Sequence, residues 1–138
     1  MNPASTPTLS VLCPTYNHSA FIAKALESFL AQVTTFEVEV VVSDDCSTDD
    51  TLEIIEGLAP RFDSRLRILR SPVNQGVTRN IRRAYHACRG KYVAICEGDD
   101  FWRGQNKLQT QVDFLEANPE FVITYHDATI VENGIEVD

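Results

Sequence analysis

Short apolar runs of four or five residues alternate along this chain with longer segments whose apolar residues recur at helical spacing. That alternation is the signature of strands interleaved with helices. Leu9 to Cys13 is the first run, and Pro14 closes it, as suits a buried strand ending in a turn. Ser19 is placed to cap a helix from Ala20 to about Gln32, on which Phe21, Ile22, Ala25, Leu26, Phe29 and Leu30 form one stripe. Val38 to Val42 is rich in β-branched residues and predicts a central strand. It stops at an acidic run from Asp44 to Asp50. There Ser47, followed by Asp50, resembles a capping box that opens a helix from Thr51 to Ala59, and Pro60 ends it.

The pattern then repeats. Leu66 to Leu69 predicts a third strand, Ser71 to Gly76 a loop, and Val77 to Cys88 a helix with Val77, Ile81, Ala84, Tyr85 and Cys88 on one face. Gly90 sits where a left-handed helix cap is favoured. Tyr92 to Cys96 predicts a fourth strand, and Leu108, Val112 and Leu115 mark another helix, stopped by Asn118-Pro119. Phe121 to Tyr125 predicts a fifth strand, and Asn133-Gly134 a hairpin. Strands alternating with helices over short connections specify an α/β fold: a mostly parallel sheet with helices on both faces. Residues 1–7 read as a flexible lead and 8–138 as the domain. The hairpin's second arm, Ile135 to Asp138, ends with the chain, so the expectation is a truncated piece of a longer domain. Its unfinished edge strand invites pairing with a second copy, a route to a homo-oligomer.

Composition narrows the function. The chain has 138 residues, enough for one domain with a sizeable core, and its 43% hydrophobic and 23% charged content is ordinary for a globular protein. A net charge of -8 argues against nonspecific binding to nucleic acid or an anionic membrane. Cys13, Cys46, Cys88 and Cys96 lack metal-ligand spacing and read as reduced thiols, which points to the cytoplasm. The first ten residues carry neither the basic nor the apolar part of a signal peptide, and no apolar run approaches the roughly 20 residues of a membrane span.

The chemistry concentrates where the fourth strand stops. Glu97, Asp99 and Asp100 place three carboxylates within four residues after an apolar run, with Gly98 among them and Phe101-Trp102 behind. Clustered carboxylates repel one another and call for a cation or a raised pKa, and hard oxygen donors suit Mg2+, Mn2+ or Ca2+. In open α/β sheets ligands bind outside the carboxyl ends of the strands. Three loops converge there: Pro14-Thr15-Tyr16-Asn17, Asp44-Asp45 and Glu97 to Asp100, with Asn74-Gln75-Gly76 leading toward Arg79 nearby. Together they describe a metal-assisted nucleotide site. Tyr16 offers a flat face to a base, and Asp44 or Asp45 accepts from a ring N–H or a ribose hydroxyl. Asp99 and Asp100 hold a divalent ion, Arg79 pairs with phosphate oxygens, and Gly98 admits the ligand closely. Arg82, Arg83 and Lys107 read as solvated helix faces, His86 as structural, and His18 and His126 as possible borders of the site.

Other chemistries are excluded by what is missing. No GxxxxGK or GxGxxG pattern occurs, the segment after Asp45 lacks the glycine and terminal glutamate of a calcium loop, and no histidine pairs with a serine or cysteine as in a triad. The alternative from another class is a magnesium-binding, receiver-like signalling module. It would place its acidic pair after strand one and its acceptor aspartate after strand three, whereas here the acids follow strands two and four.

With these residues in view, the chain resembles the N-terminal half of family 2 glycosyltransferases, which have the GT-A, Rossmann-like fold. The matching stretches are Ser10 to Asn17, Val42 to Asp49, Asn74 to Val77 and Glu97 to Trp102, continued by Lys107-Leu108 and Gln111 to Leu115. The resemblance implies a nucleoside-diphosphate-sugar donor, UDP- or dTDP-linked, held by Pro14, Thr15, Tyr16, Asn17, Asp44, Asp45, Gly76, Arg79 and Asp99. Tyr16 and Asp45 would hold the base, and Asp99 and Asp100 would form a variant DxD motif binding Mg2+ or Mn2+. It implies transfer with inversion to a saccharide or lipid-linked acceptor in cell-wall or polysaccharide synthesis, in the cytoplasm or at the cytoplasmic membrane face. The catalytic base is expected beyond Asp138. Cys46 stands where glycine or asparagine is more usual, Cys13 where an aliphatic is usual, and Glu97 replaces the aspartate that often opens the acidic motif.

Overall fold

The computed structural model describes residues 6–137. Four strands, β1 (Leu9–Thr15), β2 (Val38–Asp44), β3 (Leu66–Arg70) and β4 (Tyr92–Ile95), form one parallel sheet in the order β3-β2-β1-β4. Four helices accompany them: α1 (Ile22–Leu30), α2 (Thr51–Leu58), α3 (Val77–Ala87) and α4 (Lys107–Ala117). A 3-10 turn at Ala59–Phe62 follows α2, and Pro60 lies inside that turn.

Strand order and handedness fix the layers. The chain steps one way from β1 through β2 to β3, then crosses β1 to reach β4. Right-handed crossovers therefore put α1 and α2 on one face and α3 on the other. The packing agrees. Val11, Cys13, Val40 and Val42 form one core with Ile22, Leu26 and Phe29 of α1, Ile55 of α2 and Leu108 and Val112 of α4. Leu12 and Val41 form the second with Ala84 of α3. Both faces of β1 are covered, which is why all seven of its residues are buried.

Several local expectations need correction. The apolar run at 38–42 contains Glu39, 3% exposed on the α3 side. Its carboxylate accepts from the Ser10 hydroxyl (2.6 Å) and the Arg89 backbone N–H (2.7 Å), and pairs with the Arg89 guanidinium at 2.7 Å. Gly90 has no positive φ; a Cβ there would lie 2.5 Å from the Ser10 backbone nitrogen, so the glycine serves close approach to β1. Ser19 does not cap α1, which begins at Ile22, and Ser47 does not cap α2. The Asp49 carboxylate instead accepts from the Thr51 N–H (3.0 Å) at the start of α2 and from the Ser19 N–H (3.1 Å) in the loop before α1. Burial would raise its pKa, but these bonds hold the carboxyl well below the usual range.

Phe121–Tyr125 is not a strand. Phe121 packs on Phe114 with ring centroids 5.3 Å apart, while Val122, Ile123 and Tyr125 are exposed. Their β propensity finds no neighbouring ladder, and propensity alone does not make a strand. The hairpin is present as β5 (Ile130–Glu132) and β6 (Ile135–Val137), with Asn133 and Gly134 at φ 52° and 80° as a two-residue turn of this kind requires. The expected lead at 1–7 falls outside the described residues up to residue 5, as does Asp138, and Pro7 is buried.

Candidate active site

The strand order reverses between β1 and β4, so their carboxyl ends flank a crevice at the switch point. Hydrogen bonds stitch the predicted loops together around it. Asn17, at φ 53°, donates its N–H to the Ser47 hydroxyl (3.0 Å), and its side-chain oxygen accepts from the Thr48 N–H (2.8 Å). The Asp45 carboxylate accepts from the Gln75 N–H (2.9 Å) and the Gly76 N–H (2.8 Å), one on each oxygen. Asp44 accepts from the Ser47 N–H at 3.0 Å and its hydroxyl at 2.5 Å. The loop after β1 is thus tied to the loop after β2, and that loop to the lead of α3.

A second clasp joins the loop after β1 to the acidic stretch. The Gly98 N–H donates to the Pro14 carbonyl (3.0 Å), and a Cβ on Gly98 would lie 2.6 Å from the Thr15 hydroxyl oxygen and 2.9 Å from His18 Nδ1. The close approach that Gly98 permits is therefore to Thr15 and His18. His18 bridges the two loops, with Nδ1 3.1 Å from the Thr15 hydroxyl and Nε2 3.7 Å from Asp99 Oδ2. Trp102 anchors the far side. Its backbone N–H donates to the Ser28 hydroxyl (3.1 Å), and its ring meets Phe29 with centroids 4.9 Å apart.

The remaining predicted residues occupy two flanks. Tyr16 is 41% exposed, and Arg79 is exposed on the first turn of α3, both free to meet a ligand. On the other flank Asp99, Asp100, Trp102, Lys107 and His126 line a cleft of about 670 Å³ that the β5 strand helps to close. Lys107 is not a solvated side chain: it sits over the Trp102 ring at 4.7 Å and donates to Gln111 (2.6 Å), and burial lowers its pKa. His86 is exposed.

Sequence reasoning missed a buried polar network behind β2. Asn80 donates to the Ser43 carbonyl (2.8 Å) and accepts from the Ser43 hydroxyl (2.7 Å), while Arg83 donates to the Asp44 carbonyl (2.8 Å) and the Ser43 hydroxyl (2.9 Å). Arg83 was read as solvated, yet it ties α3 to the strand end that carries Asp44. The signal was available: residues 80 and 84 share the buried face of α3, and a polar residue there needs partners.

All four thiols are free, with Cys13 and Cys96 buried. Burial, with Asp100 nearby, pushes the Cys96 thiol up to about 12, so it is an inert packing group. Among the described residues no group of three or more His, Cys, Asp and Glu side chains gathers to hold a metal ion. Asp99 and Asp100 are exposed neighbours offering carboxylate oxygens only. That donor set fits a Mg2+ or Mn2+ ion whose other positions go to water and phosphate, and does not fit a closed protein cage.

The Glycosyl transferase family 2 model matches residues 10–136, nearly the whole chain. This chain belongs to glycosyl transferase family 2. An uncharacterized protein of Mycobacterium tuberculosis is 39% identical over 127 residues, covering 91% of this chain and 37% of that relative. Among solved structures, S. aureus TarS in complex with UDP superposes with a TM-score of 0.72 at 31% identity, over 81% of this chain and 33% of that one. The mannosyltransferase PcManGT of Pyrobaculum calidifontis, in complex with GDP-Man and Mn2+, gives 0.71 at 26% identity, over 81% and 33%. The fold is GT-A, and the chain spans about a third of the length of these matched chains. Among the described residues no helix is long and apolar enough to cross a membrane.

Proposed function

We propose that residues 8–138 form the donor-binding part of a glycosyltransferase, which moves a sugar from a nucleoside-diphosphate sugar to an acceptor hydroxyl with inversion. The observation that carries this reading is the stitching of four loops at the switch point. Asp45 and Asn17 hold Gln75-Gly76 and Ser47-Thr48, and Tyr16 and Arg79 stay exposed on one flank of the crevice with Asp99 and Asp100 on the other.

In this reading the base stacks on Tyr16, and Asp45 accepts from its ring N–H through a lone pair not taken by Gln75 or Gly76. Arg79 pairs with phosphate oxygens. Asp99 and Asp100 would hold a divalent ion, which when bound would supply positive charge against the departing diphosphate. The acceptor oxygen forms its bond to the anomeric carbon as the bond from that carbon to the diphosphate oxygen breaks. The acceptor's proton goes to a base assigned beyond Asp138, so the chain by itself binds donor and transfers little or no sugar. UDP- or dTDP-linked donors are favoured, in keeping with UDP in TarS, and a saccharide or lipid-linked hydroxyl is the acceptor. Mn2+ in the mannosyltransferase complex supports divalent-ion use.

Thermal denaturation with UDP, dTDP and GDP, each with and without Mn2+, tests the reading. Stabilisation by at least one nucleotide, greater with Mn2+, is expected. Full glycosyl transfer by the isolated chain would overturn the assignment of the base to a later segment.

A further inference from the structure

His18 stands between the two flanks of the crevice, and the backbone on both sides of it is pinned. Asn17 is tied to Ser47 and Thr48, and the Ser19 N–H donates to Asp49 (3.1 Å). The His18 carbonyl accepts from the Phe21 and Ile22 N–H groups, both at 2.9 Å, which fixes the turn leading into α1. The imidazole therefore leaves a backbone that is held in place. It also fills space that a glycine at 98 leaves open, since a Cβ there would lie 2.9 Å from Nδ1.

The two ring nitrogens have different neighbours. Nδ1 lies 3.1 Å from the hydroxyl of Thr15, a residue 2% exposed, and Nε2 lies 3.7 Å from Asp99 Oδ2. A carboxylate only accepts, so in the neutral ring the nitrogen facing Asp99 carries the proton. Nδ1 is then the bare nitrogen, and the Thr15 hydroxyl donates to it. Among the described residues no other basic side chain comes within ion-pair distance of Asp99. The gap of 3.7 Å is longer than a hydrogen bond. Asp99 is exposed, however, and its carboxyl group turns in a broad torsional well, so a shift of about 1 Å closes it. Contacts of this kind are often long without ligand and tighten when it binds.

We propose that His18 is a positioning residue for the acidic stretch. With Thr15 behind it, its Nε2–H holds Asp99 Oδ2 and turns the other carboxylate oxygen, beside Asp100, toward the place of the divalent ion. A ligating group steadied by a partner that is itself hydrogen-bonded from behind is a common way of fixing a metal site. This inference rests on the donor-site reading above and adds the residue that orients its carboxylate.

The test is titration of Mn2+ into the chain at saturating UDP, read as melting temperature, with dTDP or GDP in its place if one of those is the nucleotide that stabilises. Two replacements separate the ring nitrogens, because the amide of asparagine ends where Nδ1 lies and that of glutamine reaches to Nε2. His18→Asn keeps a partner for Thr15 and loses the hold on Asp99, so the Mn2+ concentration giving half the added stabilisation rises about 10–100-fold. His18→Gln restores an N–H toward Asp99 and recovers most of the response. Thr15→Val removes the group behind Nδ1 and shifts the response in the same direction as His18→Asn; if His18→Asn does not fold, this variant decides. The part of the stabilisation that needs no Mn2+ survives in His18→Asn, and replacement of the exposed His86 on α3 by Asn changes neither part. A wild-type Mn2+ response in His18→Asn, no recovery in His18→Gln, or equal loss with and without Mn2+ overturns the proposal and leaves the donor site standing. Absence of any nucleotide stabilisation in the unaltered chain overturns the donor-site reading, and this inference with it.

Discussion

Replacing Asp45 by alanine tests whether the crevice is held open from within. The carboxylate is 2% exposed and accepts two backbone N–H bonds, from Gln75 at 2.9 Å and Gly76 at 2.8 Å. A hydrogen bond to a charged group contributes about 1.5–3 kcal/mol, so two give roughly 3–6 kcal/mol before compensation. Two effects reduce that figure. Gln75 and Gly76 are exposed, so water replaces part of the loss, and removing the carboxylate relieves its own desolvation. The net expectation is about 2 kcal/mol. With a urea m-value of about 2 kcal/mol/M, the unfolding midpoint falls by about 1 M with an unchanged slope. Asp45→Asn should lose nearly as much, since an amide keeps one acceptor but turns a donor toward the second N–H. Urea unfolding followed by circular dichroism reads both. A midpoint shift below about 0.25 M for both variants would refute the clasp, because it would leave two N–H groups with no energetic need of Asp45.

Gly98→Ala drives a methyl group to 2.6 Å from the Thr15 hydroxyl, and the loop must move; about 1–3 kcal/mol is lost, together with most nucleotide-dependent stabilisation. Retained nucleotide stabilisation in this variant would show that the contact does not position the acidic stretch. For Glu39, burial raises the pKa, but hydrogen bonds from Ser10 and Arg89 and the charge of Arg89 outweigh it and hold the carboxyl below its ordinary value. The unfolded state therefore takes up the proton first. The contribution is fully present above about pH 4.3 and lost as pH falls through the lower folded value. Glu39→Gln should cost about 2 kcal/mol at neutral pH, less than a fully buried pair because Arg89 is half exposed. That gap should close as acid protonates the wild-type carboxylate, and a gap constant down to about pH 3 contradicts the assignment.

The sheet was legible because both faces of β1 and β2 are covered, so their residues form nearly continuous apolar runs that stop where the loops begin. The reading failed where a pattern depends on partners distant in sequence. Phe121 to Tyr125 has strand composition, but a strand exists only with a neighbour, and none among the described residues pairs with it. Gly90 and Gly98 were recognised as special, yet each serves close contact with the chain itself, near Ser10 and Thr15, which no local spacing reveals. Tyr16, Asp45 and the acidic stretch were found because they terminate strands. Arg83, Asn80 and Ser43 were missed because their meeting depends on α3 crossing the sheet. Net charge says nothing of placement: the chain carries -8 overall, yet α3 bears three arginines and no acid.

The most direct measurement is the melting temperature of the chain with UDP and Mn2+, alongside Asp100→Ala. At 100 times its dissociation constant a ligand adds about 2.7 kcal/mol, which for a chain of this size is a rise of about 9 °C. The Mn2+-dependent part should vanish in Asp100→Ala while the melting temperature without ligand stays the same, since Asp100 is exposed. If neither UDP, dTDP nor GDP raises the melting temperature of the folded chain, with or without Mn2+, the loops at the switch point do not form a nucleotide site.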